Sequence, residues 1–281
     1  MRVLNATAEL RHQVRAWRTQ GKRCALVPTM GFLHEGHLSL VDHARRHADI
    51  AIMSIFVNPL QFGPREDLAT YPRDLERDLE LARGRGVDAV FAPASAELLP
   101  RERPAVTLIA PDLTDRLCGR FRPGHFEGVL TIVAKLFNAT QPDVSVFGQK
   151  DFQQSVLIRR MVADLDFPIH IVIAPIVRES DGLALSSRNI YLTPEQRAAA
   201  ATLFRALTAG QATFARGQDS AAQICAAAQE TLLAEPLVQT QYLELVGPER
   251  LEPVERARAG DVLAGAAFLG TTRLIDNIIL K

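Results

Sequence analysis

CALVPTMGFLHEGHLSLVDHARRHADIAIMSIFVN, residues 24–58, sets two short apolar runs on either side of a helical pattern. The runs, residues 24–29 and 49–58, are rich in β-branched residues and nearly free of charge, as suits strands covered on both faces. Between them, residues 38–48 place apolar side chains at three- and four-residue intervals, the period of a helix with one buried face. Strand, helix and strand in immediate succession form a crossover unit whose two strands run parallel. The same texture spreads outward from it. Apolar runs recur at 87–93, 144–148 and 169–177, and helical patterns at 75–85, 129–138 and 153–165. This alternation predicts an α/β fold with a doubly wound parallel sheet. Ligands of such sheets bind beyond the carboxyl ends of the strands, so the loops that follow strands carry the functional reading.

After residue 180 the pattern changes. Alanine-rich helical tracts at 194–216 and 220–234 are followed by strand candidates at 241–246, 266–269 and 272–276. They predict a smaller α+β domain, with the charged, small-residue segment 175–188 as the hinge or seam before it. The expected domains are residues 1–177 and 178–281. The alanine bias reads as helix propensity.

The 281 residues are 47% hydrophobic and 23% charged, which excludes a disordered or fibrous chain. Lys+Arg and Asp+Glu balance at 32 each, so no overall field draws the chain to nucleic acid or to an anionic membrane. Any anionic ligand must be held by local groups. Cys24, Cys118 and Cys225 lie far apart and form no C-x-x-C pair, which fits a reducing compartment. No apolar run reaches the roughly 18 residues of a bilayer span, and MRVLNATAELRHQ lacks an apolar signal core. The expected location is the cytoplasm.

Three constellations carry chemistry. In VPTMGFLHEGHLSLV, residues 27–41, a buried strand ends in a loop that opens onto a helix start. His34 and His37, three apart, share a face there, and a helix N-terminus offers free N–H groups and a positive dipole end to phosphate. H-E-G-H is one residue shorter than the zinc-protease H-E-x-x-H, so its spacing argues against a metal site. In VFGQKDFQQS, residues 146–155, Lys150 can meet phosphate charge, and Gln153 and Gln154 offer donor and acceptor to a hydroxylated or carboxylate substrate. In RESDGLALSSRNIYL, residues 178–192, two hydroxyls and a guanidinium form a compact anion-binding set. Taken singly, each has a plain alternative: solvated histidines, Asp151 as a helix cap, Lys150 as a surface charge, a common S-S-R tripeptide. Two further segments stand out, the long loop 56–78 with Gln61 and Tyr71, and the basic turn 120–129 with Arg122 and His125.

In this order, PTMGFLHEGH, FVNPLQFG, YPRDLERD, RPGHFEGV, FGQKDFQQ and VRESDGLALSSRN resemble the pantothenate synthetase (pantoate–β-alanine ligase) family, from residue 27 to residue 192. The resemblance implies a Rossmann-like N-terminal domain of the HIGH-type nucleotidyltransferase superfamily, binding ATP and pantoate, a C-terminal lid domain, and a homodimer. It implies condensation of (R)-pantoate with β-alanine, with ATP and Mg²⁺, to give pantothenate, AMP and pyrophosphate through a pantoyl adenylate. No nucleic-acid or membrane partner is expected. By the same correspondence, Met30, Gly31, Phe32 and Leu33 of the loop contact ATP, together with His34, Glu35, Gly36 and His37. After the 144–148 run, Gly148, Gln149, Lys150 and Asp151 join them, as do Val177, Leu185, Ser186, Ser187 and Arg188. His37 is the expected proton donor, acting with His34 and Lys150 as the catalytic set. Gln61 and Gln154 are expected to bind pantoate, with Gln61 also near the incoming β-alanine. The magnesium ligands stay open, with Asp78 a candidate beside the ion. The family commonly has Met-Ser-Ser-Arg where this chain has Leu185-Ser186-Ser187-Arg188, an exchange of similar apolar volume that costs little.

Elementary chemistry points the same way. A carboxylate becomes an acyl donor by attacking the α-phosphate of ATP and expelling pyrophosphate, and an amine then attacks the acyl carbon. The protein must align reactants and stabilise phosphate charge, which calls for Lys, Arg, His and backbone donors rather than a nucleophile. A nucleotidyltransferase that stops after the first step is disfavoured by Gln61 and Gln154. A non-catalytic nucleotide sensor is disfavoured by the complete phosphate set. A nicotinamide dehydrogenase is disfavoured because no G-x-G-x-x-G follows the first run.

Overall fold

A computed structural model of the protein describes residues 1–64, 66–101 and 104–281. Arg65, within the 56–78 segment singled out above, lies outside the described residues. The chain divides into two compact units. The first comprises Met1–Thr114, Arg122–Gly148 and Leu157–Pro175; the second comprises Asp115–Phe121, Gln149–Val156 and Ile176–Lys281.

The first unit is built on six parallel strands: β1 (Arg2–Leu4), β2 (Cys24–Thr29), β3 (Ile50–Ile55), β4 (Ala89–Phe91), β5 (Val144–Gly148) and β6 (His170–Ala174), in the order β1-β4-β3-β2-β5-β6. Its helices are α1 (Thr7–Thr19), α2 (Glu35–His47), α3 (Leu75–Gly84), the short α4 (Ser95–Leu98) and α5 (Pro111–Thr114), then α7 (His125–Thr140), which follows α6 (Leu117–Phe121) of the second unit. Helix α8 (Phe152–Asp164) begins in the second unit and ends in the first. Strand residues alternate between faces. Val27, Met53, Val90 and Val146 therefore share one face and bury Leu38, Val41 and Ala44 of α2 with Ala82 of α3. Leu26 and Ile52 take the other face, and α1 and α7 pack together beside β2. From β2 the sheet grows through β3 to β4 in one direction and through β5 to β6 in the other. The reversal at β2 and β5 is the switch point where an open α/β sheet binds ligands.

In the second unit, three antiparallel strands, β7 (Gln239–Val246), β8 (Val262–Leu269) and β9 (Thr272–Ile279), lie in the order β7-β8-β9. The expected 194–216 helix is two helices, α9 (Pro194–Ala200) and α10 (Thr202–Ala215), joined at Ala201 and followed by α11 (Ala221–Leu233). Thr193 starts α9 by accepting from the Gln196 N–H, while Gln196 reaches back to the Thr193 N–H, a reciprocal cap. The alanines serve more than helix propensity: Ala199, Ala200, Ala206 and Ala228 are buried in the core with Leu207, Ile224, Leu245 and Leu263.

Candidate active site

In the first unit, β2 delivers its loop to the switch point, and the loop is tied on both sides. The Thr29 hydroxyl donates to the Ser54 carbonyl at 2.7 Å and accepts from the Gly31 N–H at 3.2 Å. Asp78, only 1% exposed, accepts from the Phe32 and Leu33 N–H groups, each at 2.7 Å. Gly31 has φ +81°, and a Cβ there would stand 2.8 Å from Asp78 Oδ2, so the close approach requires glycine. Burial pushes the Asp78 carboxyl above the usual aspartate range, against the Leu33 and Phe32 N–H groups and Arg77, which favour the anion.

The loop ends at His34, the residue preceding α2, whose carbonyl accepts from the N–H groups of His37 and Leu38 at 2.8 and 3.1 Å. The two imidazoles come together, ring centroids 4.0 Å apart, both half-buried at a helix N-terminus. Glu35 turns aside: its carboxylate pairs with Arg85, which also reaches Asp42 at 3.2 Å.

Gln61 lies in the same unit and touches the same loop, its Nε2 donating to Met30 Sδ at 3.0 Å. Asn58 Nδ2 donates to Gln61 Oε1 at 3.0 Å and to the Gly128 carbonyl at 3.1 Å. Two bonds leave the Gln61 amide with further donor and acceptor capacity for a substrate. The basic turn supports this residue. His125 Nδ1 donates to the Gln61 carbonyl at 2.8 Å, and Arg122 donates to it at 3.3 Å and to His125 Nε2 at 3.0 Å. A carbonyl only accepts and a guanidinium only donates, which assigns the ring proton to Nδ1. Glu66 completes the group, accepting from Arg122 at 2.7 and 2.6 Å. Burial raises the Glu66 carboxyl, but its bonds and charge attraction to Arg122 hold it below the usual glutamate range.

The second unit holds the other predicted groups. Gly148 ends β5 in the first unit; Gln149, Lys150 and Asp151 follow as a single 3-10 turn, with Gln154 half-buried on α8. Gln153, read with Gln154 as suited to substrate, is 4% exposed and bonds to protein: it accepts from the Gly119 N–H at 3.3 Å and donates to the Arg116 carbonyl at 2.8 Å. Val177 and Leu185 close a hairpin, the Leu185 N–H donating to the Val177 carbonyl at 3.0 Å. From it the chain enters the turn Ser187–Tyr191, capped by Ser186 Oγ, which accepts from the Arg188 N–H at 3.3 Å. The fold thus collects residues 149–151, 154, 177 and 185–188 in one unit, and His34, His37, Met30 and Gln61 in the other.

Comparison with known proteins decides what this arrangement belongs to. Residues 2–279 match the family model described as Pantoate-beta-alanine ligase. The chain belongs to the pantoate–β-alanine ligase family. It is 53% identical over 281 residues to a pantothenate synthetase of Moorella thermoacetica, covering 100% of this chain and 99% of that one. A Thermoanaerobacter sp. pantothenate synthetase is 50% identical over 279 residues, with 99% and 98% covered. The crystal structure of pantothenate synthetase from Thermus thermophilus superposes with a TM-score of 0.94 at 46% identity, covering 99% of each chain. A Francisella tularensis pantoate-beta-alanine ligase, solved in complex with beta-gamma ATP and beta-alanine, gives 0.81 at 30% identity, covering 99% of this chain and 97% of that one. The expected family and the Rossmann-like sheet with a smaller α+β part are both found, and the chain is an enzyme of the pantoate–β-alanine ligase type.

Within this ligase fold, Asn58, Glu66 and Gly128 are supporting residues that the sequence leaves unassigned. Asp78, a candidate beside magnesium, has both its oxygens engaged by the N–H groups of the ATP-candidate loop. Asn58 holds the Gln61 amide, Glu66 holds Arg122, which donates to the Gln61 carbonyl, and Gly128 lets α7 approach the turn Pro59–Gln61, since a Cβ there would lie 2.4 Å from the Leu60 carbonyl oxygen. A glycine inside an otherwise bulky helical pattern is the available signal for Gly128. Among the described residues no group of three or more His, Cys, Asp or Glu side chains is arranged to hold a metal ion.

Proposed function

We propose that the protein joins pantoate to β-alanine in two steps, with ATP forming a pantoyl adenylate and pyrophosphate, and β-alanine then displacing AMP. The observation that carries this reading is the His34–His37 pair, its rings 4.0 Å apart at the start of α2 beyond β2. A helix start with two imidazoles is suited to triphosphate, and His37 is assigned the proton that goes to the departing phosphate oxygen. Lys150, Ser186, Ser187 and Arg188 supply further donors to phosphate, and the ATP contacts implied by family resemblance, from Met30 to His37, Gly148 to Asp151, Val177 and Leu185 to Arg188, follow from the same reading. Gln61 and Gln154 orient pantoate, whose carboxylate attacks the α-phosphorus in line as the bond to pyrophosphate breaks. The amine of β-alanine, once deprotonated, adds to the acyl carbon and AMP leaves.

Magnesium enters this scheme with ATP, its coordination filled by phosphate oxygens and water rather than by a protein cage. Support for the substrates comes from the Francisella relative, solved with beta-gamma ATP and beta-alanine together. The division into residues 1–177, binding nucleotide and pantoate, and 178–281, the lid, is a functional one, with residues 115–121 and 149–156 grouped with the second part in the fold, and the working form is a cytoplasmic homodimer.

The test uses purified protein with ATP, magnesium and pantoate, with and without β-alanine, following pyrophosphate, AMP and pantothenate. Pyrophosphate with pantoate alone, and AMP with pantothenate only after β-alanine is added, is the expected result. AMP and pyrophosphate appearing together only when all three substrates are present, with no enzyme-bound adenylate trapped in a single turnover, would refute the two-step route.

A further inference from the structure

Strand β9 reads TRLIDNII, and in its middle two adjacent polar residues, Asp276 and Asn277, are 4% and 2% exposed. Burying either without partners would be costly, so their hydrogen bonds show what they are for. Neighbours in a strand face opposite sides. Asp276 faces the side of Leu274 and takes both guanidinium nitrogens of Arg178, at 2.6 and 2.9 Å. Arg178 also donates to the Gly182 carbonyl at 3.0 Å and lies over the Phe204 ring at 3.9 Å, so the 178–184 hairpin is pinned from that side. Asn277 faces the other way. Its Nδ2 donates to the Gln149 carbonyl at 3.0 Å and to the Lys150 carbonyl at 3.1 Å, while its Oδ1 accepts from Gln149 Nε2 at 3.1 Å.

The two carbonyls belong to the two peptide planes that flank the Cα of Lys150. Each plane is rigid, and the only soft backbone angles between them are the φ and ψ of Lys150 itself. One side-chain amide that bonds both carbonyls therefore fixes both angles, and with them the direction in which the Lys150 side chain leaves the backbone. A solvated turn would leave that direction to thermal motion.

We infer that Asn277 is a positioning residue for Lys150: from the last strand of the second unit it sets the backbone that aims the lysine ammonium at the phosphates of ATP. The inference rests on the reading of Lys150 as a phosphate-binding group. It assigns to β9, more than 120 residues away in sequence, a part in the first half-reaction.

The test is a double-mutant cycle with Asn277→Ala, the isosteric Asn277→Asp, Lys150→Ala and both Asn277 changes combined with Lys150→Ala. Asn277→Asp keeps the acceptor toward Gln149 but has no donor for either carbonyl. Pyrophosphate release with ATP, pantoate and β-alanine is followed to give kcat and KM for each substrate, alongside thermal melting. Asn277→Ala and Asn277→Asp should each lower kcat/KM for ATP by about ten- to a hundredfold, the scale of a misplaced catalytic group, with the KM for pantoate within about twofold. In the Lys150→Ala background the same changes should have almost no further effect on rate. An equal loss in both backgrounds, or no loss in either, overturns the inference. Loss of cooperative melting in both Asn277 variants overturns it too, because the residue would then hold the fold rather than the lysine. Should Lys150→Ala alone retain near-normal turnover, the reading of Lys150 fails first, and that single mutant reveals it independently of Asn277.

Discussion

Asp78→Ala should unfasten the loop that carries the histidine pair. The carboxylate accepts two N–H bonds at 2.7 Å, one of them fully buried, and it is itself almost fully enclosed. Removing it leaves the Phe32 and Leu33 N–H groups without this acceptor, at about 1–3 kcal/mol each. Part of that loss is offset, because a carboxylate whose pKa burial has raised was costly to enclose in the first place. A net destabilisation of about 2–4 kcal/mol remains, which for a protein of this size lowers the melting temperature by roughly 4–16 °C. Activity should fall further than stability, since a shift of about 1 Å in a reacting group can cost about a hundredfold. Asp78→Asn keeps one acceptor and turns an NH₂ toward the other N–H, so it should show an intermediate melting loss and a similar kinetic one. Calorimetry and pyrophosphate release, run at a temperature where both variants are folded, measure the two effects. Melting within about 2 °C of the parent, with turnover within about twofold, would show that the loop does not depend on Asp78.

His37→Ala should reduce pyrophosphate release by about a hundredfold while the fold melts normally, and near-parental turnover would remove His37 from the proton-donor role. Gly128→Ala puts a methyl group 2.4 Å from the Leu60 carbonyl oxygen and 2.8 Å from the Gln61 nitrogen, both backbone atoms that cannot swing away. A cost of about 1–3 kcal/mol and a raised KM for pantoate are expected, and unchanged kinetics would detach Gln61 from the substrate. Glu66 has a depressed pKa in the folded chain, so its contribution is present above the ordinary glutamate value of 4.5 and is lost as pH falls through the lower folded value. Glu66→Gln should accordingly flatten the acid limb of a stability–pH curve, whereas parallel limbs for parent and variant would refute the linkage.

The buried strands were legible because a parallel sheet covered on both faces leaves long apolar runs, and β2, β3 and β5 fall inside the runs at 24–29, 49–58 and 144–148. Strand β1 escaped notice because three residues, RVL, at a sheet edge give no period to read. The break at Ala201 left no mark in an alanine tract that favours helix on both sides of it. At the site, the groups proposed to meet phosphate are legible by type and by their place after strands. Their supports did not, because a carboxylate such as Asp78 looks like any charge of a solvated helix until its partners 45 and 46 residues away are known. Glu66 and Arg122 are separated by 56 residues, and nothing local distinguishes that pair.

The second unit is assembled from three stretches of chain, two of them drawn from the midst of the first. Recombination that exchanges everything after residue 176 for the corresponding part of a relative would therefore split it, parting Asn277 from the turn Gln149–Asp151 and Tyr242 from Cys118, 3.1 Å away. Functional chimeras between family members should carry residues 115–121 and 149–156 along with the C-terminal portion, so heredity in this half of the enzyme is spread over three separate tracts that have to change together.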